Sequence, residues 1–153
     1  MITVLPSSGF RQGRWLNGMG VSWDIAAEPE SAGSADFAWR FAIARIDADV
    51  PFSRYSGVDR IFTLIEGEGL TLALEGHAPL IIDRRFVPQA FPNIVRGAGQ
   101  LAGGETLLLF ALDGDVALED SSLHAGDAAL ASGVLHYAAG PHHLYAARLF
   151  QKT

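Results

Sequence analysis

The pattern of apolar and polar positions is clearest over residues 37–45, where strict alternation predicts a β-strand. Successive side chains leave opposite faces of a strand, so every second residue shares a side. The two sides would hold Phe37, Trp39, Phe41 and Ile43, and Ala38, Arg40, Ala42 and Ala44. We expect the first side to face a core, which makes Trp39 a core residue and places Arg40 on the opposite side.

A second alternating region predicts two further strands, over residues 61–65 and 70–74. Between them lies the segment Glu-Gly-Glu-Gly at positions 66–69. Glycine adopts turn conformations at little steric cost. The sequence therefore predicts that these two strands form a hairpin with one apolar face.

Shorter apolar runs predict the remaining strands, over residues 80–82, 106–112, 116–118, 128–131 and 145–150. The run 106–112 is apolar at consecutive positions, which is typical of a strand buried on both faces. No segment has sustained helical periodicity, and the glycine-rich residues 97–105 are predicted to form a loop. Short strands punctuated by glycine, proline and aspartate predict an all-β sandwich or barrel. A glycine–acid turn precedes both 70–74 and 128–131, as it would in a barrel with two pseudo-repeated halves.

Length and charge restrict the class of protein. A chain of 153 residues fits one domain, 1–153, that needs no disulfide or structural metal. The absence of cysteine suits a reducing cytoplasm, where we expect the protein to be located. A net charge of −6 with scattered arginines does not favour nucleic-acid binding. No apolar run reaches membrane-spanning length and the N-terminus does not resemble a signal peptide, so we expect no membrane association.

Candidate chemistry outside the strands is sparse. The five histidines are His77, His124, His136, His142 and His143. None forms a pair spaced two apart on one strand, the arrangement that would let two histidines converge on one ion, so we predict no metal and no cofactor. No serine lies in a nucleophile frame and no glycine-rich segment leads into a phosphate-binding helix. We therefore predict no catalytic residue, with Asp24 and Glu66 as the only loose acid–base candidates.

Two segments carry a resemblance to a known family. The first is RWLNGMGVSWDI at 14–25; the second combines FAWRFAIA at 37–44 with PFSRYSGVDR at 51–60. They resemble the HutD/Ves family, which has Trp-Lys-Asn-Gly-Gly-Gly before a short strand, then a Trp-Arg strand, a Pro-Phe-Ser turn and a Gly-x-Asp-Arg strand entry. Leu16 and Met19 depart from this pattern, standing where the family has lysine and glycine. The chain is also shorter than the family pattern near residues 86–93, where a loop is either deleted from the protein or missing from the sequence.

The resemblance implies a cupin-like double-stranded β-helix barrel. It also implies a non-catalytic role in histidine utilisation, in which the protein binds a small acidic metabolite such as formylglutamate or urocanate in the barrel. The resemblance is also compatible with a homodimer. The candidate ligand-binding residues are Arg60, Arg40, Asn17, Trp15, Ser53 and Phe52.

Each candidate has a simpler structural interpretation. Arg40 among alanines fits a pocket wall and equally a solvated strand face. If it is buried, its guanidinium needs a partner, and a carboxylate ligand would serve. Arg60 either lines the barrel mouth or pairs with Asp59 at the surface. Trp15 fits a core position and Asn17 a turn, while Phe52 and Ser53 fit a structural turn. Two other functions stay open: a metal-independent isomerase or hydrolase acting on a small carboxylate, and a protein-interaction module.

Overall fold

The computed structural model consists of short β-strands joined by turns. It describes residues 1–31, 36–53, 55, 60–74, 76–90, 106–118, 120–132, 137–138 and 142–149. Two compact units are present: Met1–Arg54 with Ala102–Thr153 form the first, and Tyr55–Leu101 form the second. The predicted loop at 97–105, Asp59 and His136 lie outside the described residues.

The strands follow one another along the chain with one short 3₁₀ turn, Ser7–Gly9, after the first. They are β1 (Ile2–Leu5), β2 (Arg11–Arg14), β3 (Val21–Glu28), β4 (Trp39–Arg45), β5 (Ile61–Thr63), β6 (Leu70–Leu72), β7 (Leu80–Ile82), β8 (Pro88–Ala90), β9 (Thr106–Ala111), β10 (Val116–Leu118), β11 (Ser122–Leu123), β12 (Ala128–Ser132), β13 (Tyr137–Ala138) and β14 (Leu144–Leu149). The predicted all-β class is confirmed. None of the described helical residues forms a segment long and apolar enough to cross a bilayer.

Among the described residues of the first unit, three antiparallel sheets are formed. Their strand orders are β1-β12-β9-β14, β11-β10-β13 and β2-β3-β4. β9 is central in the first of these sheets, between β12 and β14. It packs on both sides: Leu109 and Ala111 join a cluster with Val116, whereas Leu108 and Phe110 join a cluster with Ile25 and, around it, Phe41. The prediction of a strand buried on both faces is confirmed.

The described part of the second unit holds two small antiparallel sheets. β5 pairs with β8, and β6 pairs with β7. Leu72 of β6 and Ile82 of β7 are buried. The predicted hairpin between the strands at 61–65 and 70–74 is therefore wrong, because each strand takes a partner later in the chain. Alternation identifies the apolar side of a strand, but the choice of partner depends on tertiary contacts that the local pattern does not contain.

Candidate ligand-binding site

The β2–β3–β4 sheet has two different faces. A β-bulge between Asp24 and Ala26 makes Ile25 an extra residue of β3, and a bulge places neighbouring residues on one side of the strand. Accordingly, Ile25 and Ala26 both pack with Phe41 and Ile43 in a core cluster. Pairing of β3 with β2 and β4 places a second set of side chains on the opposite face. We call it the arginine face; it carries Arg11, Gly13, Ser22, Asp24, Ala27, Arg40, Ala42 and Ala44.

Arg40 is held on this face by an aspartate of its own chain. Its Nε donates to Oδ1 of Asp24 at 2.8 Å, and one terminal nitrogen, Nη2, also contacts that oxygen. Nη2 donates in addition to the hydroxyl of Ser22 at 3.1 Å. The side chains of Arg40 and Asp24 are only 17% and 22% exposed. A half-buried guanidinium needs a partner, and Asp24 meets that need without a ligand.

A second arginine shares the same carboxylate more loosely. Nη2 of Arg11 lies 3.5 Å from Oδ2 of Asp24, and the Arg11 side chain is 62% exposed. Two guanidinium groups therefore share one carboxylate, which leaves an excess positive charge on the arginine face. The other residues of this face are glycine, alanine and serine, so the face itself places no large uncharged side chain beside the charged cluster. Such a surface can accept an anion.

Trp15 belongs to the loop between β2 and β3. Its indole Nε1 donates to the carbonyl of Val21 at 3.1 Å, and its backbone N–H donates to the carbonyl of Gly20 at 2.9 Å. The ring meets Phe52 edge to face, with centroids 5.4 Å apart. These contacts support a structural role for Trp15 and Phe52.

Asn17 connects this loop to the segment after β4. Its side-chain Nδ2 donates to the carbonyl of Pro51 at 2.6 Å, and its Oδ1 accepts from the N–H of Met19 at 3.1 Å. The backbone N–H of Asn17 donates to the hydroxyl of Ser53 at 3.3 Å, and Ser53 is buried. Both the Nδ2 and the Oδ1 atoms of Asn17 therefore bond to backbone groups, and the Nδ2 bond joins the β2–β3 loop to the segment after β4.

Replacing Gly20 with alanine is expected to lower the free energy of unfolding by about 2–3 kcal/mol, because the new methyl group would overlap the Trp15 indole. A Cβ at this position would lie 2.8 Å from Cε3 of Trp15 and closer still to two other ring atoms. Urea unfolding followed by tryptophan fluorescence measures the change. Gly13→Ala is the matched control, since a Cβ there meets nothing within 4 Å. Equal stabilities of the two variants would contradict the close packing.

The predicted site residues fall into separate groups. Arg40 lies on the arginine face, and Trp15, Asn17, Phe52 and Ser53 form the loop cluster, all in the first unit. Arg60 belongs to the second unit, where its guanidinium carbon lies 5.2 Å from the Tyr55 ring centroid and 5.9 Å from that of Phe62. Ligand contact by these residues stays a prediction.

Sequence reasoning missed Arg11 and the partner role of Asp24. Both are visible only once β2 is paired with β3, which places Arg11 directly opposite Asp24. The sequence did contain one signal for the Asp24 contact. Ser22 and Asp24 are spaced two apart, as residues on one face of a strand are, and Arg40 lies among alanines on one face of the predicted strand 37–45.

Histidines and carboxylates lie elsewhere in the first unit. Nδ1 of His143 is 2.6 Å from Oδ2 of Asp113, and Nδ1 of His124 is 3.1 Å from Oδ1 of Asp115. The backbone N–H of His143, and then its side chain, lower the pKa of Asp113 below its usual value. Within the part of the chain that the structure describes, no three His, Cys, Asp or Glu side chains are arranged to hold a metal ion.

Comparison with known proteins matches residues 7–112 to the family model described as HutD. An uncharacterized 21.2 kDa protein in the hutC 3′ region of Pseudomonas putida is 31% identical over 75 residues, which are 49% of this chain and 39% of that protein. Protein Ves of Citrobacter koseri is 38% identical over 73 residues, covering 42% of this chain and 37% of that protein. The chain thus spans less than half the length of the curated relatives that it matches.

Solved structures show the same fold. The structure of HutD from Pseudomonas fluorescens SBW25 in a formate condition superposes with a TM-score of 0.70 at 22% identity, covering 90% of this chain and 91% of that one. A conserved protein of unknown function from Pseudomonas aeruginosa PAO1 gives a TM-score of 0.65 at 26% identity, covering 99% and 93%.

Proposed function

The chain belongs to the HutD family, and on that premise we propose that it is a non-catalytic protein that binds a small acidic metabolite and thereby modulates histidine utilisation. The proposed ligand class is a small carboxylate of the formylglutamate or urocanate type. Binding would serve to sense or buffer the metabolite. The arginine face of the first unit is the proposed point of contact.

One observation carries this proposal: two arginines share a single aspartate on the arginine face. The Arg11 contact with Asp24 is long, at 3.5 Å, and largely exposed, so it contributes little to stability. Arg11 can therefore turn to a ligand carboxylate at small cost, whereas Arg40 stays fixed by Asp24 and Ser22. Arginine presents a planar fork that suits a carboxylate.

The relatives support the choice of metabolite. The Pseudomonas putida protein is named for the hutC 3′ region, which agrees with a role connected to histidine utilisation. That connection favours carboxylates of this pathway as the first compounds to test.

Thermal unfolding in the presence of formylglutamate, glutamate, urocanate and formate tests the proposal. A ligand at 100 times its Kd stabilises the folded state by about 2.7 kcal/mol. For a domain near this size, that is a rise in Tm of about 5–11 °C. No rise with any of the four compounds would remove the named ligand class. Formation of a product from any of them would replace the binding function with an enzymatic one.

Arg11→Ala is expected to weaken binding of the active compound about tenfold, because a charge-assisted hydrogen bond is lost. Isothermal titration calorimetry measures the Kd. Arg14→Ala is the matched control, because Arg14 is an exposed arginine of the same strand whose side chain lies on the opposite face. Arg60→Ala tests the predicted contribution of the second unit in the same assay. An unchanged Kd for Arg11→Ala would exclude the arginine face.

A further inference from the structure

We propose that the first unit has a second small-molecule site, in a cavity beside the β2–β3 loop, and that this site takes a short aliphatic monocarboxylate. The cavity measures about 190 Å³. Its apolar lining comes from Met19, Val21, Ile46 and Val50, and its charged groups are Arg45 and Asp47. The loop cluster that sequence reasoning singled out supports this cavity.

The two walls of the cavity are fixed to each other before any ligand binds. Met19 belongs to the β2–β3 loop, and its backbone N–H donates a hydrogen bond to Oδ1 of Asn17. The opposite wall ends next to Pro51, whose carbonyl accepts from Nδ2 of the same asparagine. The hydroxyl of Ser53 accepts from the backbone of Asn17 as well. A ligand therefore meets preformed walls, which reduces the ordering cost of binding.

The size of the cavity limits the ligand to a small molecule. Water occupies about 30 Å³ per molecule in the liquid, so this volume corresponds to about six waters. Butyrate and valerate, with about six or seven non-hydrogen atoms, fit that size. A largely apolar lining with a few charged or polar groups is the usual composition of a small-molecule pocket.

The cavity lining holds one guanidinium group, that of Arg45. Val21 is paired across the sheet with Arg14 on one side and Arg45 on the other, so a second arginine stands on a neighbouring strand. Asp47 supplies one carboxylate, which accepts from Nε of Arg45 at 2.9 Å. Both partners of that ion pair are more than half exposed, so the pair holds Arg45 only weakly. The terminal nitrogens of a guanidinium can bind a second carboxylate while Nε keeps the first.

Titration of ¹⁵N-labelled protein with sodium butyrate, followed by amide NMR, tests the site. We expect saturable shifts at residues 19–21 and 45–50. Arg45→Ala should weaken butyrate binding about tenfold. Asp47→Asn should strengthen it, because the amide still accepts from Arg45 but no longer repels the anion. Ala48→Trp, which places a large side chain on the cavity lining, should abolish binding while circular dichroism stays unchanged.

The controls separate this site from the arginine face. Arg11→Ala should leave butyrate binding unchanged, and Arg45→Ala should leave the metabolite response of the proposed function unchanged. Butyrate shifts centred on Ser22, Asp24 and Arg40 would overturn the second site and place the carboxylate on the arginine face. Absence of saturable shifts would also overturn it, as would equal binding of n-butylammonium, which would show that the positive charge does not select the ligand.

Discussion

Replacing Leu109 with alanine is expected to lower the free energy of unfolding by about 3–4 kcal/mol. Leu109 is 0% exposed and lies in the core cluster with Ala111, Val116 and Leu123. Truncation removes apolar contacts and leaves a cavity in a central strand that has neighbours on both edges. A loss of this size should lower Tm by about 6–16 °C in a domain near this size. Urea unfolding followed by tryptophan fluorescence measures it, because Trp15, Trp23 and Trp39 all belong to the first unit.

Two further leucine variants show whether β9 is buried on both sides. Leu108 points into the other core cluster and is also 0% exposed, so Leu108→Ala should cost about the same as Leu109→Ala. Leu16 is 50% exposed, and Leu16→Ala should change stability by no more than about 0.5 kcal/mol. If Leu108→Ala behaved like Leu16→Ala, the two-sided packing of β9 would be wrong.

The sequence predicted strands well where alternation or a continuous apolar run is long enough to be distinctive. Residues 37–45 became β4 (Trp39–Arg45) and residues 106–112 became β9 (Thr106–Ala111). β1, with four residues, and β2, with the polar sequence RQGR, carry no comparable pattern. These strands form because a neighbouring strand supplies their hydrogen bonds, which a local pattern cannot reveal.

Strand pairing was the part that the sequence could not predict. Residues 70–74 were predicted to have an apolar face, and Leu72 on that face is buried. However, β6 pairs with β7 instead of β5. The same limit applies to the candidate site. Arg40 was correctly placed on the side opposite Phe41, but its contact with Asp24 depends on the register of β3 and β4 and on the bulge at Ile25.

The contacts of Asn17 revise the interpretation of residues 14–25, the first segment that resembles the family. The sequence allowed Asn17 to be either a ligand contact or part of a structural turn. Its amide is committed to the Pro51 carbonyl and to the N–H of Met19, so the asparagine shapes a cavity by joining two loops. In the proposed second site, Asn17 does not line the cavity, and its contribution would be to preorganise the walls, which reduces the cost of association.

Replacing Gly69 with alanine is expected to lower the stability of the second unit by about 3 kcal/mol or more, because strain and steric overlap add. Gly69 has a φ of +117°, a conformation that side chains disfavour, and a Cβ there would lie 2.9 Å from the Cα of Asp83 and closer to the Ile82 carbonyl. These backbone atoms belong to the end of β7, the strand that pairs with β6, and to the residue after it. They cannot move aside without opening the pairing of Leu70 with Ile82.

Gly67→Ala separates the two causes, since Gly67 also has a positive φ, +92°, but a Cβ there meets nothing within 4 Å. It should therefore show only the conformational penalty, about 1 kcal/mol. Urea unfolding monitored by circular dichroism, together with hydrogen exchange at the buried Leu72, measures both variants. Faster exchange at Leu72 in Gly69→Ala than in Gly67→Ala is the expected result, because only the larger penalty acts on the β6–β7 pairing. Equal exchange in the two variants would mean that the Gly69 backbone does not approach Ile82 closely.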